Sequence, residues 1–277
     1  MPSKIEWLRG PDNKPGETWN PLGWGCYGPT GTAENPQPCP YCFAKRMANR
    51  KLRKCALCQA FIPHWHPEVL ERPLHWKQPR RIFVASMSDL FGDWISQDQF
   101  QAIMGVIGAA NWHTFYLLTK QPQNIPAKIA TTKAYYDHSP DDSGFCFYRN
   151  LWIGVSVTCA ADLPRIAMLR DAWPGHKFVS MEPLLNMAVF PDLGGMEWAI
   201  IGAMTGAGAK KHQPKYADVL RIIDGADCRG IPVFLKDSLT SMMPCAILRQ
   251  EWPKEIAQCQ QKDISYQKTP SGELVPH

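Results

Sequence analysis

Short runs of apolar, β-branched and aromatic residues recur along the chain, separated by segments whose apolar positions fall at helical spacing. Arg81-Ile-Phe-Val-Ala-Ser-Met-Ser-Asp89 is the first, followed by Phe115–Lys120, Leu151–Val157, Lys177–Pro183, Trp198–Gly202 and Ile231–Lys236. Continuous apolar runs of this length are what strands buried on both faces of a parallel sheet look like. Residues 97–110, 162–173 and 216–228 carry the three-to-four-residue apolar period of helices. Asp162-Leu-Pro-Arg puts a capping residue and then a proline at the start of the second of these, where a missing N–H does no harm. Strand and helix alternating six or seven times predict an α/β fold, a full or partial (βα) barrel. A doubly wound open sheet is the competing architecture, because periodicity does not report closure.

The barrel reading takes 1–253 as a single domain that includes a cysteine-rich segment at 26–66, and 254–277 as a polar C-terminal tail. Residues 131–150 have no periodicity and read as an inserted loop. In either architecture the working side chains belong at the carboxyl ends of strands. Those ends present Ser86, Ser88 and Asp89, then Thr119 and Lys120, then Ser156 and Thr158, then Glu182, then Met204 and Thr205, and finally Lys236 and Asp237.

Composition narrows the class. A chain of 277 residues can bury one large core, and 45% apolar with 20% charged residues excludes a disordered protein. Twenty-five prolines and 11 tryptophans point to long loops and aromatic packing surfaces. No apolar run reaches the roughly 18 residues of a membrane-spanning helix, and Met1-Pro-Ser-Lys-Ile-Glu-Trp7 lacks the apolar stretch of a signal peptide. The expected setting is therefore the cytoplasm, where ten cysteines read as metal ligands or buried thiols rather than disulfides. The net charge is only +5, yet six of the ten residues 45–54 are Lys or Arg. That cluster is either a solvated helix face or a phosphate-facing patch.

Three of the cysteines, Cys26, Cys39 and Cys42, lie in a loop rich in glycine and proline. Thiolates select iron–sulfur clusters, zinc or copper(I). Three of them are one ligand short of what tetrahedral zinc or a four-iron cluster takes, which leaves a metal position open. A second candidate is Cys55-Ala-Leu-Cys58 followed by His64-Trp-His66. Two cysteines and two histidines could form a zinc set, with Cys55 and Cys58 the expected ligands and the histidines weaker candidates; free thiols are the alternative. Cys146, Cys159, Cys228, Cys245 and Cys259 are isolated and read as packing residues, although Cys159 sits just past a strand end.

Cys39-Pro-Tyr-Cys42 resembles the second half of the radical S-adenosylmethionine signature, although twelve residues separate Cys26 from Cys39 where three are usual. A broader likeness runs in order along the chain: Trp19–Cys26, Cys39–Ala44, His66–Glu68, Pro79–Phe91, Leu118–Pro122, Gly154–Val157, Ser180–Leu184 and Phe234–Lys236 resemble the phage Gp37/Gp68 family of the DUF5131 type, a group with radical-S-adenosylmethionine-like features. The resemblance implies a barrel of the radical S-adenosylmethionine type with an N-terminal cysteine-rich loop. It implies that Cys26, Cys39 and Cys42 hold a [4Fe-4S] cluster whose open iron binds S-adenosylmethionine. Tyr41 would lie near the adenine, Ser86, Ser88, Asp89 and Ser156 would contact the cofactor, and Lys120, Glu182 and Lys236 would face the reaction. The implied chemistry is a 5′-deoxyadenosyl radical, fed by a reducing electron-transfer protein, acting on a nucleic acid or nucleotide. Two departures stand out: the chain has Gly202-Ala-Met-Thr-Gly206 where the family tends to Gly-Gly-Glu-Ser-Gly, and Thr158 where it tends to Glu. A zinc-containing nucleic-acid-binding module without catalysis is the alternative function. A metal-dependent hydrolase would need several His and Asp ligands at strand ends, and those are sparse.

Overall fold

The computed structural model describes residues 3–50, 54–130, 148–187, 189–206, 208–243, 248–258, 266–268 and 274–276. Seven strands pair in parallel: β1 (Glu17–Trp19), β2 (Arg81–Val84), β3 (Thr114–Thr119), β4 (Leu151–Ser156), β5 (His176–Met181), β6 (Trp198–Ile201) and β7 (Val233–Leu235). Their spatial order equals their sequence order. Right-handed crossovers in an order that never reverses put every connection on the same face, so the sheet curls into a half-barrel and has no switch point. The open doubly wound alternative is thereby excluded, and the partial form of the barrel is the one adopted. The six apolar runs correspond to β2 through β7; β1, only three residues long, carried no such run.

Side-chain alternation explains why the runs are apolar on both faces. Ile82 and Val84, Phe115 and Leu117, Ile153 and Val155, Val179, Ala199, and Val233 and Leu235 face the helices. There they meet α3 (Gln97–Ala109), α4 (Ile125–Ala130), α5 (Pro164–Ala172) and α6 (Tyr216–Asp227). The intervening positions, Phe83, Tyr116, Trp152, Phe178, Trp198 and Phe234, fill the other face with aromatic rings. Trp7 sits among them, 5.3 Å from the Phe83 ring and 5.5 Å from Tyr116. Continuing the inward alternation toward the carboxyl ends leads from these rings to Lys120, Ser156, Ser180, Glu182 and Lys236, so an aromatic floor carries a polar rim.

Helix boundaries follow local chemistry. Ser96 caps α3, its Oγ accepting the Gln99 N–H at 3.2 Å while Gln99 Oε1 accepts the Ser96 N–H at 3.1 Å. The expected Asp162 cap is corrected: Asp162 ends a 3-10 turn, Leu163 precedes α5 with helical dihedrals, and the Asp162 carboxylate turns back to Thr158. The β5–β6 connection also departs from strict alternation, since among the described residues 182–197 carry no helix. Leu184, Met187, Leu193 and Met196 fill the core there instead, and buried Asp218 of α6 accepts the Met187 N–H at 3.3 Å.

Ahead of β2 lie α1 (Phe43–Ala48) and α2 (Ala56–Ala60) in the cysteine-rich segment. The tail contains α7 (Lys254–Gln258) and a small antiparallel pair, β8 (Tyr266–Lys268) with β9 (Leu274–Pro276). The inserted-loop reading at 131–150 falls outside the described residues except for 148–150. No described helix is long and apolar enough to cross a membrane.

Candidate functional site

A cavity of about 650 Å³ opens at the carboxyl ends of the strands, within the size range of small-molecule sites. Its floor is the aromatic layer, represented by Trp7 and Phe83. The first cysteine group and most of the strand-end candidates face it: Cys26, Cys39 and Cys42 with Tyr41, then Ser86, Ser88 and Asp89, then Thr119, Lys120, Ser156, Glu182, Met204, Thr205 and Lys236. Cys55 and Cys58 do not line it. Thr158 and Asp237 stand behind the rim, and Cys159 lies outside it. Cys146, Cys245 and Cys259 fall outside the described residues.

The cysteine loop is strapped over the cavity at two points. Thr158 gives its only hydroxyl proton to Asp162 Oδ2 at 2.8 Å, so the Tyr41 hydroxyl, 3.1 Å away, must donate to Thr158. Asp162 is held in turn by Arg165 at 2.8 Å. Burial raises the Tyr41 phenol above its ordinary pKa, which keeps that donor protonated. The second strap is Arg46 of α1, whose Nη1 donates to the Thr205 carbonyl beyond β6 at 2.9 Å. Within the loop, Cys42 caps α1, its Sγ accepting the Lys45 N–H at 3.3 Å. Burial pushes the Cys26 thiol up to about 12; neighbouring Asp89 adds to the rise, and the Gly28 N–H and Lys120 oppose it. A thiol so placed gives up its proton only to a cation that replaces it.

The turn after β2 is built around Ala85, a non-glycine residue at φ +51°. A left-handed backbone at such a residue costs on the order of 1 kcal/mol, a strain found mostly at functional sites. The turn sends Ser86, Ser88 and Asp89 in different directions. Ser86 Oγ donates to Asn20 Oδ1 at 3.1 Å. Ser88 Oγ is buried and has no hydrogen-bond partner among the described residues. Asp89 is buried and accepts three hydrogen bonds, from Thr119 Oγ1 at 2.8 Å, the Lys120 N–H at 3.0 Å and the Phe91 N–H at 3.1 Å. Burial still raises its pKa. With most of its acceptor sites already filled, Asp89 acts first as a tie between the ends of β2 and β3. Ser88 is the group of this turn left seeking a partner.

Across the cavity, Glu182 beyond β5 and Lys236 beyond β7 form an ion pair that reaches over β6. Gly202 makes the reach possible, since a Cβ there would lie 2.9 Å from Lys236 Cδ and 3.3 Å from Glu182 Cγ. Glu6, on the N-terminal segment, accepts the Asp237 N–H at 2.8 Å, and burial raises its carboxyl pKa beside the Lys236 charge. Sequence reasoning missed Glu6 and Asn20. Asn20 stands inside a motif already singled out, Trp19–Cys26, whereas nothing in the sequence around Glu6 marked it.

The second cysteine pair forms a different kind of site. Cys55, Cys58, His64 and His66 each bring one donor atom into a group whose members all lie within 4.8 Å, and that group could hold a metal ion. The two histidines, treated as weaker candidates on sequence, belong to it as fully as the cysteines.

The class defined by these features is an α/β half-barrel with two cysteine-based sites, one facing a cavity and one closed. The chain belongs to the family described as a protein of unknown function (DUF5131), whose profile matches residues 2–270. No curated protein and no solved structure matches it.

Proposed function

We propose that the protein is an iron–sulfur enzyme of the radical S-adenosylmethionine type, with the cavity at the strand ends as its active site. One observation carries this reading: three thiols from one loop, strapped across the mouth of a half-barrel, face a nucleoside-sized cavity rimmed by strand-end polar groups. The donor chemistry fits a [4Fe-4S] cluster. The ligands are soft and number three, and one iron is thus left open. The unpartnered Ser88 Oγ adds a polar group suited to a bound cofactor.

When bound, the cluster and S-adenosylmethionine would supply one-electron radical chemistry. The chain's own residues do the rest. Tyr41 and Arg46 hold the thiol loop at a set height above the aromatic floor. Ser88 and Ser156 offer hydroxyls to a polar ligand, while Ser86 is kept in place by Asn20. The Glu182–Lys236 pair and Lys120 put charge on the cavity rim above the aromatic floor, where an anionic substrate group would be bound and oriented. The loop and the N-terminal segment cover the ligand and exclude water, as reactive intermediates require. We assign the substrate class to nucleic acids or nucleotides on the cationic rim and on the basic run that starts at Lys45, with a reducing electron-transfer protein as partner.

The test is anaerobic reconstitution with iron and sulfide. A brown protein that bleaches in air and cleaves S-adenosylmethionine on reduction is expected. Colourless protein that binds no iron sinks the reading and favours the zinc-containing nucleic-acid-binding module.

A further inference from the structure

We propose that Cys55, Cys58, His64 and His66 bind one zinc ion, and that this ion clasps the cysteine-rich segment onto the stretch of chain that leads into Cys26. The assignment does not depend on what Cys26, Cys39 and Cys42 hold.

The four donor atoms converge as those of a metal site do. His64 Nδ1 lies 2.7 Å from the Ile62 carbonyl, which can only accept, so Nδ1 carries the proton. His66 Nδ1 lies 2.6 Å from the Glu68 carboxylate, with the same consequence. Each neutral ring then presents a bare Nε2 lone pair, and the two Nε2 atoms face one another at 2.8 Å. Two lone pairs at that distance repel unless a cation lies between them. The sulfurs complete the set: Cys55 Sγ is 3.3 Å from His64 Nε2, and Cys58 Sγ is 3.4 Å from both imidazole Nε2 atoms. An ion about 2.0–2.3 Å from each donor, the usual zinc distances, would need only a slight spreading of the group. Two thiolates with two imidazoles in a closed four-donor set select zinc. The carbonyl and carboxylate behind the rings are the outer partners that fix metal-bound histidines.

The clasp follows from what the ligand segment touches. The His66 N–H donates to the Pro21 carbonyl at 2.7 Å. Gly23 has φ +62°, and a Cβ there would lie 2.4 Å from His64 Cε1; a Cβ on Gly25 would lie 2.3 Å from the Ile62 carbonyl carbon. Residues 62–66 and 21–25 are therefore in direct contact, backbone to backbone at Pro21 and Gly25 and imidazole to backbone at Gly23, and Cys26 is the next residue. Fixing the histidines by metal fixes the approach to Cys26.

The test uses the full chain carrying Cys39→Ser and Cys42→Ser, so that the first group cannot compete for metal while Cys26 remains as a reporter. About one zinc per chain is expected after desalting. Replacement by Co²⁺ should give thiolate-to-cobalt charge transfer with the visible bands of a tetrahedral site, and adding Cys58→Ser should remove them. Should that variant fail to fold, titration of the parent with a mercurial decides: zinc released in step with thiol modification supports the site. Removing zinc should speed alkylation of Cys26 about tenfold, the effect of a local opening of the segment. Protein without zinc, cobalt bands that survive Cys58→Ser, or zinc release without thiol modification would overturn the site. Cys26 alkylation indifferent to zinc would overturn the clasp.

Discussion

The two cysteine groups carry related donor atoms in opposite arrangements. Cys55, Cys58, His64 and His66 converge until all four donors lie within 4.8 Å, with a carbonyl and a carboxylate locking the rings from behind. Cys26, Cys39 and Cys42 line a cavity of about 650 Å³ and are half-buried. A closed set with saturated outer partners is what a structural metal site looks like, whereas an incomplete set facing a cavity is what a reactive one requires. The contrast lies less in the residues than in what supports them. The closed group rests on backbone contact with 21–25, and the open group is held at arm's length by Tyr41 and Arg46, anchored on the ends of β4 and β6.

The largest effect that would sharpen the contrast comes from removing one open-site thiol. Cys42→Ala should reduce reconstituted iron to background, measured by elemental analysis, while leaving zinc unchanged. A variant that keeps full iron content would erase the distinction between the groups.

Acid should separate the regions next, because the chain around the closed group depends on a neutral imidazole. His113 is buried, accepts the Arg80 N–H on Nδ1 at 3.1 Å and lies with Nε2 2.9 Å from the Pro73 carbonyl, in the segment that follows His66. Burial holds its pKa down to about 4. The unfolded chain takes up this proton first, near pH 6.5, so the contribution is whole above that pH and is lost as pH falls toward 4. The full loss is about 3 kcal/mol. Urea unfolding at steps between pH 7 and pH 4 should show the slope, and His113→Gln should flatten it.

A smaller effect probes the rim of the open group. Glu182→Gln leaves the Lys236 ammonium without its counter-charge in a partly enclosed place. Because Glu182 is itself 30% exposed, water recovers part of the loss, and destabilisation of about 2 kcal/mol is expected. Gly202→Ala should cost about 1 kcal/mol by pushing the same pair apart. Equal losses in Glu182→Gln and in Glu182→Gln/Gly202→Ala would show that the pair, and not the packing around it, is what the glycine serves.

Most of the strand and helix pattern was legible because burial on both sheet faces forces apolar runs, and a helix on one face forces a period near 3.6. β1 was not, since three residues cannot establish a period. Nor was the β5–β6 connection, where Leu184, Met187, Leu193 and Met196 pack as a loop does without helical spacing. At the site, residue types and their places at strand ends could be read from the chain. The partners of those residues could not: that Asp89 is occupied by Thr119, Lys120 and Phe91, that Tyr41 finds Thr158, and that Glu182 finds Lys236 are all contacts between residues at least 30 positions apart, except for the Asp89–Phe91 bond.

The chemical inventory is written in the chain: three thiols in a turn-rich loop, a Cys-x-x-Cys pair ahead of two histidines, and a polar residue at nearly every strand end. These are set by side-chain type and local spacing. That one thiol group faces a cavity while the other closes on itself is a property of the packed fold. Convergence of donor atoms depends on how distant segments pack, and here that is settled by the half-barrel's mouth on one side and by the 21–25 backbone on the other.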